Sequence, residues 1–284
     1  MRLCRFSPER LGVVLGDEVA DITVALQGLP SAAVAGDPLC TNLAAVVRRA
    51  HELLPSAPRL PLAGLQLLSP VERPSKILGA PINYRDHIAE SRVDDGIAHG
   101  RKVTAITDWG LFLKAPSSLI GFGQEVRLRF PERRNDHECE LTVVIGQTCS
   151  QVKAAQAMAF VCGYAIGLDM TLRGPEFQCW RKSIDTYSVL GPWLVTADEV
   201  PHPENLELEL LVNNELRQRA NTRDLILDIP ELIEFASSMY TLYPGDLIMT
   251  GTPAGVGPVK PGDKMQVRIE GVGHGTVSVG AHYV

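Results

Sequence analysis

Apolar and polar residues alternate with a period of two in stretch after stretch of this chain. That pattern limits it to folds built mainly from half-buried strands. Val126, Leu128 and Phe130 alternate with Glu125, Arg127 and Arg129. Leu206, Leu208, Leu210 and Val212 do the same, as do Met265, Val267 and Ile269, then Val277 and Val279. Residues 76–80 and 247–249 are short apolar runs of the kind a buried strand shows. Twenty prolines and 25 glycines in 284 residues punctuate these runs with turns. A helical period appears in few places. Leu43, Val46, Val47, Ala50, Leu53 and Leu54 follow a cap at Thr41 or Asn42 and stop at Pro55. Residues 151–161 read as a second helix, and Leu232, Ile233, Ala236, Met239 and Tyr240, opened by Pro230, as a third. The expected class is a β-rich α+β fold with antiparallel or mixed sheets.

Residues 1–70 read as a small N-terminal α/β domain. They hold a strand at 2–6, a hairpin over 10–21 turning at Gly16-Asp17, and the helix ending at Pro55. The proline-bearing stretch 70–75 is the expected linker to a larger domain over 71–284. A formal net charge of −6 and the lack of a basic, aromatic-interleaved patch argue against nucleic acid as a partner. No run approaches a membrane span, and the MRLCRF start lacks the apolar core of a signal peptide. The six cysteines form no CxxC pair. These features lead us to expect a cytoplasmic protein with reduced thiols.

The stretch NDHECELTVVIG, residues 135–146, carries the strongest chemical signal. On a strand, Glu138 and Glu140 share one face while His137, Cys139 and Leu141 take the other. Adjacent carboxylates at the mouth of a buried strand repel each other, and a cation resolves that conflict. Asp169, which ends the apolar strand GYAIGLD, is the natural third ligand. Three oxygen ligands with open positions suit Mg²⁺ or Mn²⁺ holding a chelating substrate. The plainer alternative is a set of solvated strand-end charges. HECEL lacks the second histidine of HExxH and reads as strand, so a zinc protease is rejected.

Other residues each carry two readings. His87 and Glu90, three apart, are neighbours on a helix face. They are either a water-activating base with its orienting carboxylate or a surface ion pair. Lys182 in CWRKSIDTY and Arg173 either face a substrate anion or are exposed charges, with Asp185 available as counter-charge. The loop TGTPAGVG offers the hydroxyls of Thr250 and Thr252 and several backbone N–H groups to a carboxylate or oxyanion, or is a plain turn. Residues 91–110 are polar and irregular, long enough for a lid. His51, His99, His202, His274 and His282 show no ligand spacing.

Six segments in order, KILGAPINYRDHIAE, FLKAPSSLIG, DHECELTVVIG, GYAIGLDMTLR, WRKSIDTYSVLGPW and LIMTGTPAGVG, resemble the fumarylacetoacetate hydrolase family over residues 76 to 280. The resemblance implies a core of rolled mixed β-sheets in a homodimer. It implies Mg²⁺, Mn²⁺ or Ca²⁺ on Glu138, Glu140 and Asp169, with His87, Glu90 and Lys182 as catalytic residues. Tyr84, Arg173, Gly251 and Thr252 fall at substrate-binding positions. The implied substrate is an acylpyruvate or related diketo acid, split at a C–C bond in aromatic or sugar catabolism. Decarboxylation or enol–keto isomerisation of a 2-oxo acid is the alternative. Two departures bear on the substrate: Gly174–Pro175–Glu176 replaces a glutamine common in the family, and 91–110 is longer than in compact members.

Overall fold

In the computed structural model, which describes residues 1–31, 35–100, 102–104 and 106–281, the predicted strands assemble into three sheets. The largest has twelve strands, with Ser188–Thr196, Val161–Asp169, Cys139–Ile145 and Leu247–Met249 side by side at its centre. Side chains on both faces of these strands are buried, which is why they read as continuous apolar runs. The alternating stretches occupy a five-stranded sheet, ordered Glu215–Asn221, Glu207–Val212, Lys264–Ile269, Gly273–Ala281 and Val126–Leu128. One face of that sheet packs on the core and the other meets solvent. Asn135–His137 is the middle strand of a third, three-stranded sheet. Pairing is mostly antiparallel, but Leu247–Met249 runs parallel to Ile77–Gly79 and Ser188–Thr196 parallel to Leu119–Gly121. The sheets are therefore mixed, as expected for a β-rich α+β fold.

The hairpin at Gly16-Asp17 and the helix Leu43–Leu53 form where the sequence places them. Asn42 does not cap that helix with its side chain; its Nδ2 donates to the carbonyls of Pro30 and Pro38 instead. The ladder crosses the boundary expected at residue 70. Arg2–Phe6 pairs antiparallel with Ser188–Thr196, Leu3 opposite Leu194, and the next three strands carry the large sheet to its edge. Leu3, Leu11, Val46 and Ala50 share one hydrophobic cluster with Val144, Ala165 and Leu190 from the sheet centre.

Two helical expectations are revised. The helix read over 151–161 begins only at Ala154, because the N–H groups of Gln151 and Val152 are tied to the Ser237 carbonyl and hydroxyl. Conversely, much of 91–110 is helical. Arg85–Val93 leads into Asp95–Ala98, whose cap Asp94 accepts the Gly96 N–H at 2.8 Å, and Ile106–Trp109 follows; residues 101 and 105 lie outside the described residues. The polarity that suggested loop here belongs partly to caps.

The chain passes from the small sheet into the large one at Glu138. Register then sets the site: Glu140 lies opposite Gly167, and the Asp169 N–H donates to the Glu138 carbonyl at 2.9 Å. Position 167 has no room for a side chain, since a Cβ would lie 2.2 Å from Thr142 Oγ1.

Candidate functional site

One oxygen from each of Glu138, Glu140 and Asp169 lies within 4.8 Å of the others, and all three residues are buried. The strand-end alternative, in which water solvates these charges, is excluded. Burial would raise the Glu138 carboxyl, but the Lys182 ammonium and Arg173 guanidinium outweigh it and hold it well below the usual carboxylate range. Lys182 Nζ donates to Glu138 Oε2 and Asp169 Oδ2, both at 2.6 Å. Arg173 donates from Nε to Asp136 Oδ2 at 2.7 Å and from Nη2 to Glu138 Oε1 at 2.8 Å. Asp185, the expected counter-charge, is exposed and pairs with neither cation.

Glu140 differs from its neighbours. Its hydrogen bond comes from the Gly251 N–H at 2.6 Å, and among the described residues no cation bonds to it directly. Burial, then repulsion from Asp169 and Glu138, pushes its carboxyl well above the usual range. A dry carboxylate with no cation of its own, beside two others, is a donor set that fits a divalent ion with oxygen ligands.

The sequence reading missed Lys114. Its buried ammonium donates to Asp169 Oδ1 and, at 2.7 Å, to the Tyr187 carbonyl. Burial, with repulsion from Lys182, lowers its pKa against the pull of Asp169. The only local signal was a lysine among the apolar residues of FLKAPSS. Asp136, which braces Arg173, was also missed.

His87 and Glu90 lie on the helix Arg85–Val93, and His87 Nδ1 meets Glu90 Oε2 at 2.8 Å. A carboxylate only accepts, so Nδ1 carries the proton and Nε2 is the basic nitrogen. Glu90 Oε1 accepts the Gly255 N–H at 2.9 Å, so the glycine loop grips this helix through the catalytic candidate. Asn83 donates to the carbonyls of Leu227 and Thr250 and fixes the start of the same helix.

His87, Glu138, Glu140, Arg173, Lys182 and Thr252 line one cleft. Thr252 spends its hydroxyl on the Cys139 carbonyl and accepts from Gln218 Nε2. Gly251 reaches Glu140 through its N–H. Tyr84 is not brought to the cleft wall: it is buried, and its hydroxyl has no partner among the described residues. Glu176, in the segment that departs from the family pattern, takes both Nη1 and Nη2 of Arg133 at 2.9 Å. Space inside the cleft amounts to about 50 Å³, enough for a few waters. Among the described residues no helix is long and apolar enough to cross a membrane.

Residues 76–279 match the family model "Fumarylacetoacetate (FAA) hydrolase C-terminal". The chain is 52% identical to maleylpyruvate hydrolase of Aquipseudomonas alcaligenes, covering 98% of this chain and 99% of that one. It is 36% identical to a mitochondrial oxaloacetate tautomerase of Bos taurus, covering 96% and 90%. Its fold superposes with a TM-score of 0.84, at 41% identity over the whole of both chains, on maleylpyruvate hydrolase from Sphingobium sp. SYK-6 in complex with manganese(II) and pyruvate. The carboxylate cluster, the fold around it and the match across three quarters of the sequence place this chain in the fumarylacetoacetate hydrolase family.

Proposed function

We propose that this chain is a divalent-metal-dependent hydrolase that cleaves a C–C bond in an acylpyruvate, maleylpyruvate or a close analogue, in aromatic catabolism. One observation carries the reading. Three clustered buried carboxylates, a His–Glu pair and a buried lysine meet at a cleft that His87, Glu138, Glu140 and Lys182 line, in a chain similar end to end to maleylpyruvate hydrolase. Glu138, Glu140 and Asp169 would hold the ion, Mg²⁺ or Mn²⁺, which when bound supplies a Lewis acid for the oxygens of a 2-oxo acid.

The chain's own residues do the rest. His87 Nε2 takes a proton from water, and Glu90 holds the ring and balances its charge. The water oxygen bonds to the distal carbonyl carbon. The bond from that carbon to the methylene breaks, and its electron pair leaves in the enolate of pyruvate, whose charge faces the Lys182 ammonium. The proton held by His87 goes to the methylene carbon. The products are pyruvate and a carboxylic acid.

Similarity to an oxaloacetate tautomerase supports a second reading, proton relay on a 2-oxo acid with no water attack. A homodimer is the assembly that the family resemblance implies, and the cytoplasm is the location that the start of the sequence and its cysteine usage suggest. The test is turnover of maleylpyruvate by purified protein. EDTA should abolish it and Mn²⁺ or Mg²⁺ restore it, with pyruvate as product. Full activity in chelator, or turnover of oxaloacetate alone, would overturn the hydrolase reading.

A further inference from the structure

Most surface helices turn apolar side chains inward, but the single turn Gln178–Arg181 does the reverse. Phe177 and Trp180 are 80% and 77% exposed, whereas Arg181 and Lys182 are 5% and 4% exposed. Gln178, Arg181 and Lys182 are spaced i, i+3, i+4, hence on one face, and all three line the cleft. The turn thus presents a buried guanidinium and a half-buried amide to the cleft and two aromatic rings to solvent.

Lys182, at the last position of that face, is committed to Glu138 and Asp169 and so marks the end where a 2-oxo acid chelates. Gln178 lies about one turn, ~6 Å, earlier along the same face, with Arg181 between them in height. Ile97, Val103 and Trp109 also line the cleft. Arg181 is oriented by long contacts from Nε to the Glu176 carbonyl, 3.3 Å, and from Nη1 to the Leu172 carbonyl, 3.4 Å. We infer that Arg181, aided by Gln178, recognises a second carboxylate at the far end of the substrate. The enzyme is thereby selective for diketo acids whose tail ends in an anion over those ending in a methyl group. A planar guanidinium suits that task because it can grip a carboxylate through two parallel N–H bonds. The assignment rests on the 2-oxo acid reading above but not on the reaction being hydrolysis.

Two measurements test it on the Mn²⁺-loaded full chain. The first is binding, by calorimetry, of 2-oxoadipate and 2-oxohexanoate, six-carbon 2-oxo acids that differ only in whether the tail ends in carboxylate or methyl. Wild type should prefer 2-oxoadipate by about tenfold or more, as a charge-assisted hydrogen bond supplies. Arg181→Gln should erase the preference, and Arg181→Lys should restore part of it. The second is kcat/KM for maleylpyruvate against acetylpyruvate, where Arg181→Gln should lower the ratio of the two on the order of 100-fold, mostly through the KM of maleylpyruvate. Equal affinity of wild type for the two acids would overturn the assignment, as would equal losses on both substrates in both variants. Selective binding without turnover would instead overturn the hydrolase reading and leave Arg181 in its role.

Discussion

Burial penalises the Glu140 carboxylate, Asp169 and Glu138 repel it, and a single backbone N–H answers it, so its pKa stands well above the ordinary value. A carboxyl raised in the folded state makes the metal-free protein gain stability as pH falls through that raised pKa toward the unfolded value. It loses that stability as pH rises. Metal binding requires the ionised form, so Mn²⁺ affinity should weaken over the same descent and binding should release protons. Glu140→Gln is therefore expected to act with opposite signs. In EDTA it should stabilise the chain in urea unfolding, increasingly so as pH rises through the raised pKa, because the cost of ionising a buried, poorly compensated carboxyl is removed. With Mn²⁺ it should lose the ligand-linked stabilisation that wild type shows. A variant less stable than wild type in EDTA would mean the carboxylate is structurally satisfied. Glu138 has the opposite sign: held below the usual range by Lys182 and Arg173 against its burial, it gives stability that persists above the ordinary carboxylate pKa and fades only in strong acid. Such residues were legible because strand alternation puts Glu138 and Glu140 on one face and i, i+3 spacing joins His87 to Glu90. Lys114 was not, since the reason for its burial is Asp169, 55 positions away on another strand. Lys182 likewise misled on its partner: the nearby Asp185 suggested a local pair, and the fold supplies a distant one.

The helix Arg85–Val93 is held at its middle by the glycine loop, through the bond from Gly255 N–H to the oxygen of Glu90 that His87 does not use. Gly255 has φ +96°, and a Cβ there would lie 2.0 Å from the Arg217 carbonyl oxygen, a backbone atom that cannot turn aside. Gly255→Ala should therefore shift the loop and release Glu90. The cost of a side chain in that backbone region is ~1–2 kcal/mol, so kcat should fall by about tenfold. Mn²⁺ affinity should hold, because none of the three metal-ligand candidates belongs to this loop. Parallel loss of both would place the loop's role in the metal cluster instead. This element was half legible. The motif PINYRDHIAE announced a helix, yet its continuation through Asp95–Ala98 was hidden because Asp94 and Asp95 read as loop polarity. The use of Asp94 as a cap shows only when the Gly96 N–H it accepts is in view.

Prolines at 70 and 74 mark a linker in the sequence, but no local pattern reveals that Arg2–Phe6 will pair with Ser188–Thr196, almost two hundred residues on. The segment is also tied down where a linker would swing. Asp37, fully buried, caps the turn Pro38–Thr41 with one oxygen and accepts the N–H groups of Glu72 and Arg73 with the other, at 2.7 and 3.0 Å. Removing residues 1–70 would therefore do more than trim an appendage. It would leave the Leu194–Val195 end of a central strand without its neighbour and uncover Ala165, Leu190 and Leu194, all now at or near zero exposure. An unpaired strand edge beside a bare apolar face is an aggregation template. Residues 71–284 expressed alone should be insoluble or oligomerise without limit, and the full chain should unfold in one thermal transition, since ladder and core are shared across the junction. A soluble 71–284 fragment that binds Mn²⁺ as the whole chain does, or two separate calorimetric transitions, would show that the large sheet closes without its first strands.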